Sequence, residues 1–203
     1  MDKLTINSEY LNNITPSNIN FNDFNLSDLA IFISKHVCER KYTINTENDE
    51  IITILIKNRH LPHLLGFQHY AGTLPEKSAT DQINSLLNGD SGWSIQELSK
   101  GDKGWLNENK LRIIGVMMLY NFYQNENIEL YNPPTIRPIS NHYERTNIQL
   151  ITVLKDAKST VISLELRFID KGFPHYEPVS ITTNKNSKSG RKINIKTFIV
   201  EDI

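Results

Sequence analysis

The sequence predicts an α+β protein in which N-terminal helices pack on a mainly antiparallel β-sheet. Three observations carry this. Apolar residues recur at helical spacing through much of the chain before residue 134. Beyond Pro133, Pro134 and Pro138 the period changes to two. The late apolar runs are joined by short, turn-rich segments, which suit antiparallel strands but cannot hold a parallel crossover.

The elements follow in order. Residues 1–22, rich in Asn, Ser and Thr, read as an N-terminal arm. Leu26, Leu29, Ala30, Ile33 and Val37 predict a helix capped by Asn25 or Ser27 and running to about Arg40. Tyr42–Asn45 and Glu50–Lys57 read as strands around the turn Thr46-Glu47-Asn48-Asp49. The continuous run Ile51–Ile56 predicts a central strand buried on both faces. Ala79–Leu87 forms a helix stopped by Asn88-Gly89, and Ser94 caps a short helix with Glu97 at the capping-box position. Asn107–Gln124 is apolar nearly all round, the mark of a buried helix. Four strands are expected after the prolines: Asn147–Lys155, Ser159–Ile169, Tyr176–Thr183 and Lys192–Val200. The chain thus divides into an arm (1–22), a helical part with a β-hairpin (23–134) and an antiparallel meander (135–203), the last two forming one compact domain.

Composition narrows the function classes. An apolar content of 38% with 22% charged residues is that of a folded protein. The single Cys38 excludes an intramolecular disulfide and any cysteine-based zinc motif, and it fits a reducing compartment. There is no basic segment leading into an apolar run at the N-terminus and no uncharged apolar stretch of spanning length. A cytoplasmic protein with no membrane association is expected. Charge is unevenly spread. Residues 1–134 carry 11 Lys/Arg against 16 Asp/Glu, a net −5, while residues 135–203 carry 11 against 7, a net +4. A basic last third suits an anionic partner.

The most informative segment is Asn58-Arg59-His60-Leu61-Pro62-His63-Leu64-Leu65-Gly66. It follows a buried strand, and Pro62 suits the start of a short helix. His63 then falls in the first helical turn, where the helix dipole disfavours imidazolium and leaves a neutral ring able to act as a general base. Arg59 beside it could hold a phosphate. The same histidines also fit a plain hydrogen-bonding or capping role. As a zinc site the pair lacks the HExxH spacing and a third ligand, and no carboxylate cluster suggests a two-metal centre, so neither metal nor cofactor is expected. Arg137 and His142 have the spacing of some helical ribonucleases, but Pro138 opposes a helix there, so any contribution comes from a loop. The hairpin Asn184–Lys192 carries Lys185, Lys188, Arg191 and Lys192 with no acid, a composition suited to a nucleic-acid backbone and equally to a solvated turn. Ser180 and Thr182 alternate onto one face of their strand.

Taken together these segments resemble a known family. "NRHLPHLLGF" looks like the His-Leu-x-Gly element of a phage and mobile-element nuclease family named for barnase, EndoU, colicins E5 and D, and RelE. "SIQELSKG" with "ENKLRIIGVMMLYNFY" is similar to its short and long helices, and "FPHYEPVSITTN" to its late strand. The resemblance spans roughly residues 40–200, in the family's order. It implies a RelE- or barnase-like core and a metal-independent endoribonuclease, acting as a toxin or phage-defence effector. The positions it carries over are His63, then Thr182 and Ser180 on the late strand; in the mechanism expected here His63 would be the base, His142 or His175 the acid, and Arg59, Arg137 and Lys155 would offset the phosphate charge. RNA (tRNA or mRNA) would be the substrate, with a neutralising protein as partner. The alternative is a non-catalytic module that binds protein or nucleic acid through the same groove. Nucleotide transfer is disfavoured, because no glycine-rich phosphate loop is present.

Overall fold

The computed structural model describes residues 6–13, 19–21, 24–124, 128–132, 148–153, 161–182 and 191–203. Within the stretch read as an arm, Asn7 caps a one-turn helix, α1 (Ser8–Asn12), that buries Leu11. Asn25 caps α2 (Leu26–His36) by accepting from the Ser27 N–H at 2.8 Å. The hairpin β1 (Arg40–Thr46) and β2 (Ile51–Ile56) turns through Asp49, whose φ of 61° is left-handed. Next come α3 (Leu61–Leu64), α4 (Ala79–Leu87), α5 (Ile95–Gly101) and α6 (Trp105–Tyr123). The buried residues of α6 include Ile113, Val116, Met117 and Phe122, as its all-round apolarity requires. The late elements are β3 (Ile128–Asn132), β4 (Ile148–Val153), β5 (Val161–Ile169), β6 (His175–Thr182), β7 (Arg191–Ile193) and β8 (Ile195–Asp202).

The strands form one eight-stranded sheet in the order β7-β3-β4-β5-β6-β2-β1-β8. All pairings are antiparallel except β2 with β6. The expected meander holds for β4, β5 and β6, but the fourth strand does not join β6. It continues as β7 beside β3 and, past Asn194, as β8 beside β1, so the outer members of the sheet belong to one extended segment. Residue periodicity fixes that a segment is extended but says nothing of its neighbour. β3, which precedes the prolines, went unforeseen for the same reason: five residues are too few to establish a period.

Helix α6 lies on the sheet face formed by Ile162, Leu164, Leu166 and Ile181, all buried. Gly115 makes the approach possible. A methyl group there would sit 2.5 Å from Ile181 Cγ2 and 3.0 Å from Ile162 Cγ2. On β5 the alternate residues Ser163, Glu165 and Arg167 lie on the opposite face.

Candidate active site at the open edge of β6

The site arises from a parting of two strands. β2 pairs with β6 at Ile54–Tyr176. Beyond that point the chain leaves β2 through a 3₁₀ turn, Asn58–His60, and α3 packs along β6 instead. Leu61, Leu64 and Leu65 are fully buried and anchor this short helix, which leaves His63 exposed on its outer side. Gly66 ends it with φ 84°, and a methyl group there would collide with Asn109 Oδ1 and meet Arg112 Cδ at 3.1 Å. Trp105 Nε1–H donates to the Gly66 carbonyl at 3.3 Å, fixing the turn to the start of α6.

β6 answers with a bulge. Glu165 faces Ser180 and Leu166 faces Pro178, so Val179 has no partner on β5. Pro178 lacks an N–H and is suited to such a break in the ladder. The extra residue resets the alternation, so Glu177, Ser180 and Thr182 share the outer face of the sheet although Glu177 and Ser180 are three apart. At the bulge the Val179 backbone carbonyl bears on the His63 ring and favours its protonated form. Arg112 of α6 donates through Nη1 to Ser180 Oγ at 3.3 Å, and Thr182 Oγ1 donates to Glu165 Oε1 at 3.3 Å. His63, Val179, Ser180 and Arg112, with Thr182 and Glu165 next along the strand, make one polar assembly.

Partial burial, the Arg112 guanidinium and His69 hold His63 below the ordinary imidazole value, against the opposing bond to Val179. The lowering has the direction expected of a first-turn histidine, but the helix dipole is not its cause. A four-residue helix has little macrodipole to exert, and burial with a neighbouring cation acts in its place.

The other sequence candidates divide cleanly. Arg59 and His175 meet at Glu177, away from His63. Arg59 Nη2 lies 2.6 Å from Glu177 Oε1, His175 Nε2 lies 3.3 Å from the same oxygen, and Lys57 Nζ lies 3.5 Å from it. His60 Nε2 lies 3.5 Å from the second carboxylate oxygen, and its Nδ1 accepts the Lys57 N–H at 3.1 Å. Burial pushes His60 down to about 4 despite the Glu177 charge. Burial alone would raise Glu177, but the His175 hydrogen bond and the charges of His60, Arg59 and Lys57 hold it at about 2. Arg191 and Lys192 lie on β7, and Lys192 Nζ pairs with Glu129 Oε1 at 3.0 Å. Four strand steps separate β7 from β6, roughly 19 Å along the sheet. Arg137, His142, Lys155, Lys185 and Lys188 lie outside the described residues.

Two members of the assembly escaped the sequence reading, Arg112 and Glu165. Arg112 is the one charge within the apolar run Leu111–Tyr120, and that isolation was the available signal. Among the described residues, no group of three or more His, Cys, Asp or Glu could hold a metal ion, and no helix is long and apolar enough to cross a membrane.

An α+β core that gathers a histidine, an arginine and two hydroxyls at a bulged strand edge is consistent with a nuclease core. Residues 25–202 match the model of the family described as phage-Barnase-EndoU-ColicinE5/D-RelE like nuclease4, and the chain belongs to that family. Membership makes nucleic acid the substrate class. No curated protein and no solved structure matches the chain.

Proposed function

We propose that the protein is a metal-independent endoribonuclease that cleaves RNA by transesterification. One observation carries the reading. His63 is exposed and is held below its ordinary pKa, with the Val179 carbonyl bearing on its ring, so the neutral ring offers a nitrogen lone pair to a substrate. Such a nitrogen can take the proton from a ribose 2′-OH. The resulting oxygen attacks the adjacent phosphorus and the P–O5′ bond breaks. The departing 5′-oxygen takes a proton from a second group, which leaves a 2′,3′-cyclic phosphate and a 5′-OH. Arg112 is the cation placed to offset the charge that builds on the phosphorane, with the Ser180 and Thr182 hydroxyls beside it.

The second proton donor is drawn from His69, whose charge bears on His63, or from His142. His175 is a weaker candidate, because Glu177 and the Phe173 carbonyl engage both its ring nitrogens, at 3.3 and 2.6 Å. A role as a toxin or phage-defence effector, held in check by a neutralising protein, follows the nuclease reading and rests on the family resemblance.

The test is cleavage of total tRNA and a labelled mRNA in EDTA. Wild type should cut and leave cyclic ends, and His63→Ala should lose about 10²-fold or more in rate. Full cleavage by His63→Ala would end the assignment. Cleavage that EDTA abolishes would end the claim of metal independence. Tight RNA binding by both proteins with no turnover would favour the non-catalytic module instead.

A further inference from the structure

The outer face of β6 continues past the assembly at His63 to the end of the β5–β6 hairpin, and the groups along it lie in a fixed order. Thr182 and Ser180 come first, then Val179 with His63, then Glu177 with Arg59, then His175. From Val179 to His175 is four residues, roughly 13 Å of strand. At the far end the chain turns through Gly172, with φ 78°, and presents Phe173.

Phe173 is 60% exposed, a large apolar ring with no burial to explain it. It is not loosely placed. Its ring lies 16° from parallel with that of His175, centroids 6.4 Å apart, and its carbonyl oxygen is 2.6 Å from His175 Nδ1. His175 is itself 9% exposed and held by Glu177, so the aromatic platform is fixed to the same carboxylate that orients Arg59. Charges around it are mixed: Lys57, Arg59, Arg167 and Lys171 stand with Glu177, Asp170, Glu39, which accepts the Asn58 N–H, and Glu50, which bears on Tyr176, and the cation nearest the platform is Arg59 on the His175–Glu177 pair.

We infer that the hairpin end of β5 and β6 is a subsite for an unpaired nucleobase, which stacks on Phe173 while its flanking phosphate lies toward Arg59. An exposed, fixed ring in line with Arg59 and with the strand edge that leads to His63 suits single-stranded RNA rather than a duplex, whose bases offer no free face. The inference rests on the ribonuclease reading and adds to it that the substrate is recognised a few nucleotides from the cleaved bond, by stacking.

The experiment measures binding, so it does not depend on turnover. The probe is a fluorescein-labelled, uridine-rich oligonucleotide with a 2′-O-methyl group on every ribose, which transesterification cannot cut. Fluorescence anisotropy of the full chain should show Phe173→Ala binding about tenfold more weakly than wild type, with Phe173→Trp equal or tighter. A single abasic position is then moved along the oligonucleotide. At one position it should cost wild type the same tenfold and cost Phe173→Ala nothing further. Equal losses in both proteins at every position, or no loss in Phe173→Ala, would overturn the subsite. Because Phe173 is largely exposed, its removal leaves the core intact. The two readings fail separately. Cleavage of the all-ribose oligonucleotide without the stacking signature removes only the subsite, while the signature without cleavage removes only the ribonuclease.

Discussion

His60 and His63 are three residues apart, on one short segment against one strand, yet the structure puts them to opposite uses. His60 faces Glu177 with both ring nitrogens occupied or enclosed, its side chain 10% exposed. His63 lies under the influence of a bulge carbonyl and is exposed. Both rings are held neutral by burial, but only one keeps a reachable lone pair. The comparison shows that a depressed pKa is not itself the mark of a site. Around Glu177 it marks a completed network. At Val179 it marks an exposed ring, because a strand that would have paired there has been replaced by a helix.

After the loss of His63 itself, the largest effect should come from removing the cation on the open side. Arg112→Gln keeps a hydrogen-bond donor for Ser180 but takes away the charge. We expect kcat to fall by about 10²-fold, the scale of losing one preorganised stabiliser of transition-state charge. The same change should move the acid limb of the kcat/KM profile. On the proposed mechanism the wild-type limb should lie below the ordinary imidazole value, because activity would be lost as His63 gains a proton. With Arg112 gone, one cause of the depression goes too, and the limb should shift to higher pH. A drop in kcat with an unmoved limb would place Arg112 away from His63 in the working enzyme.

The closed side should register in stability instead. His60 has a folded pKa of about 4 against an ordinary 6.5, so between those values the unfolded chain takes up a proton that the folded chain refuses. Stability is complete above pH 6.5 and falls as pH drops toward 4, by roughly 3 kcal/mol over the full window. Glu177, held at about 2 against 4.5, adds a further loss between those values. His60→Gln can accept the Lys57 N–H and donate toward Glu177 without titrating. Urea midpoints measured across this range should therefore flatten above pH 4.5 in the variant and keep their decline below it. An unchanged slope in His60→Gln would assign the upper window to other groups.

Much of the frame was legible in the sequence, and much of the site was not. The strand periods, the buried helix α6 and the turn at Asp49 are local properties, encoded by neighbours a few residues apart. His63, Ser180 and Thr182 could be singled out as residues, through their segments' resemblance to a nuclease family. What brings them together is the bulge at Val179 and the parting of β2 from β6, and neither has a period to read. Arg59 illustrates the cost. By spacing it is the natural phosphate ligand for His63, yet it lies against Glu177, a residue 118 positions away in the chain. Arg112 was overlooked because a lone cation on an apolar helix reads as a residue to be tolerated, until Gly66 and Ser180 are seen to receive it.

Arg59→Ala should have the smallest effect of these changes. The Arg59 side chain is 62% exposed, so its short contact with Glu177 is largely screened and the pair contributes at most about 1 kcal/mol. Glu177 keeps Lys57, His60 and His175 and stays ionised at neutral pH, so no buried charge is orphaned. Its carboxyl should rise from about 2 as one of the cations lowering it is lost, which moves the acid limb of the stability curve slightly upward. Urea unfolding at pH 7 and at pH 3 measures both parts. On the open side, the loss in kcat should stay more than tenfold smaller than that of Arg112→Gln. A loss in Arg59→Ala equal to that of Arg112→Gln would mean that Arg59 leaves Glu177 to join His63 when substrate binds. The line between the closed and open histidines would then be drawn by the ligand rather than by the fold.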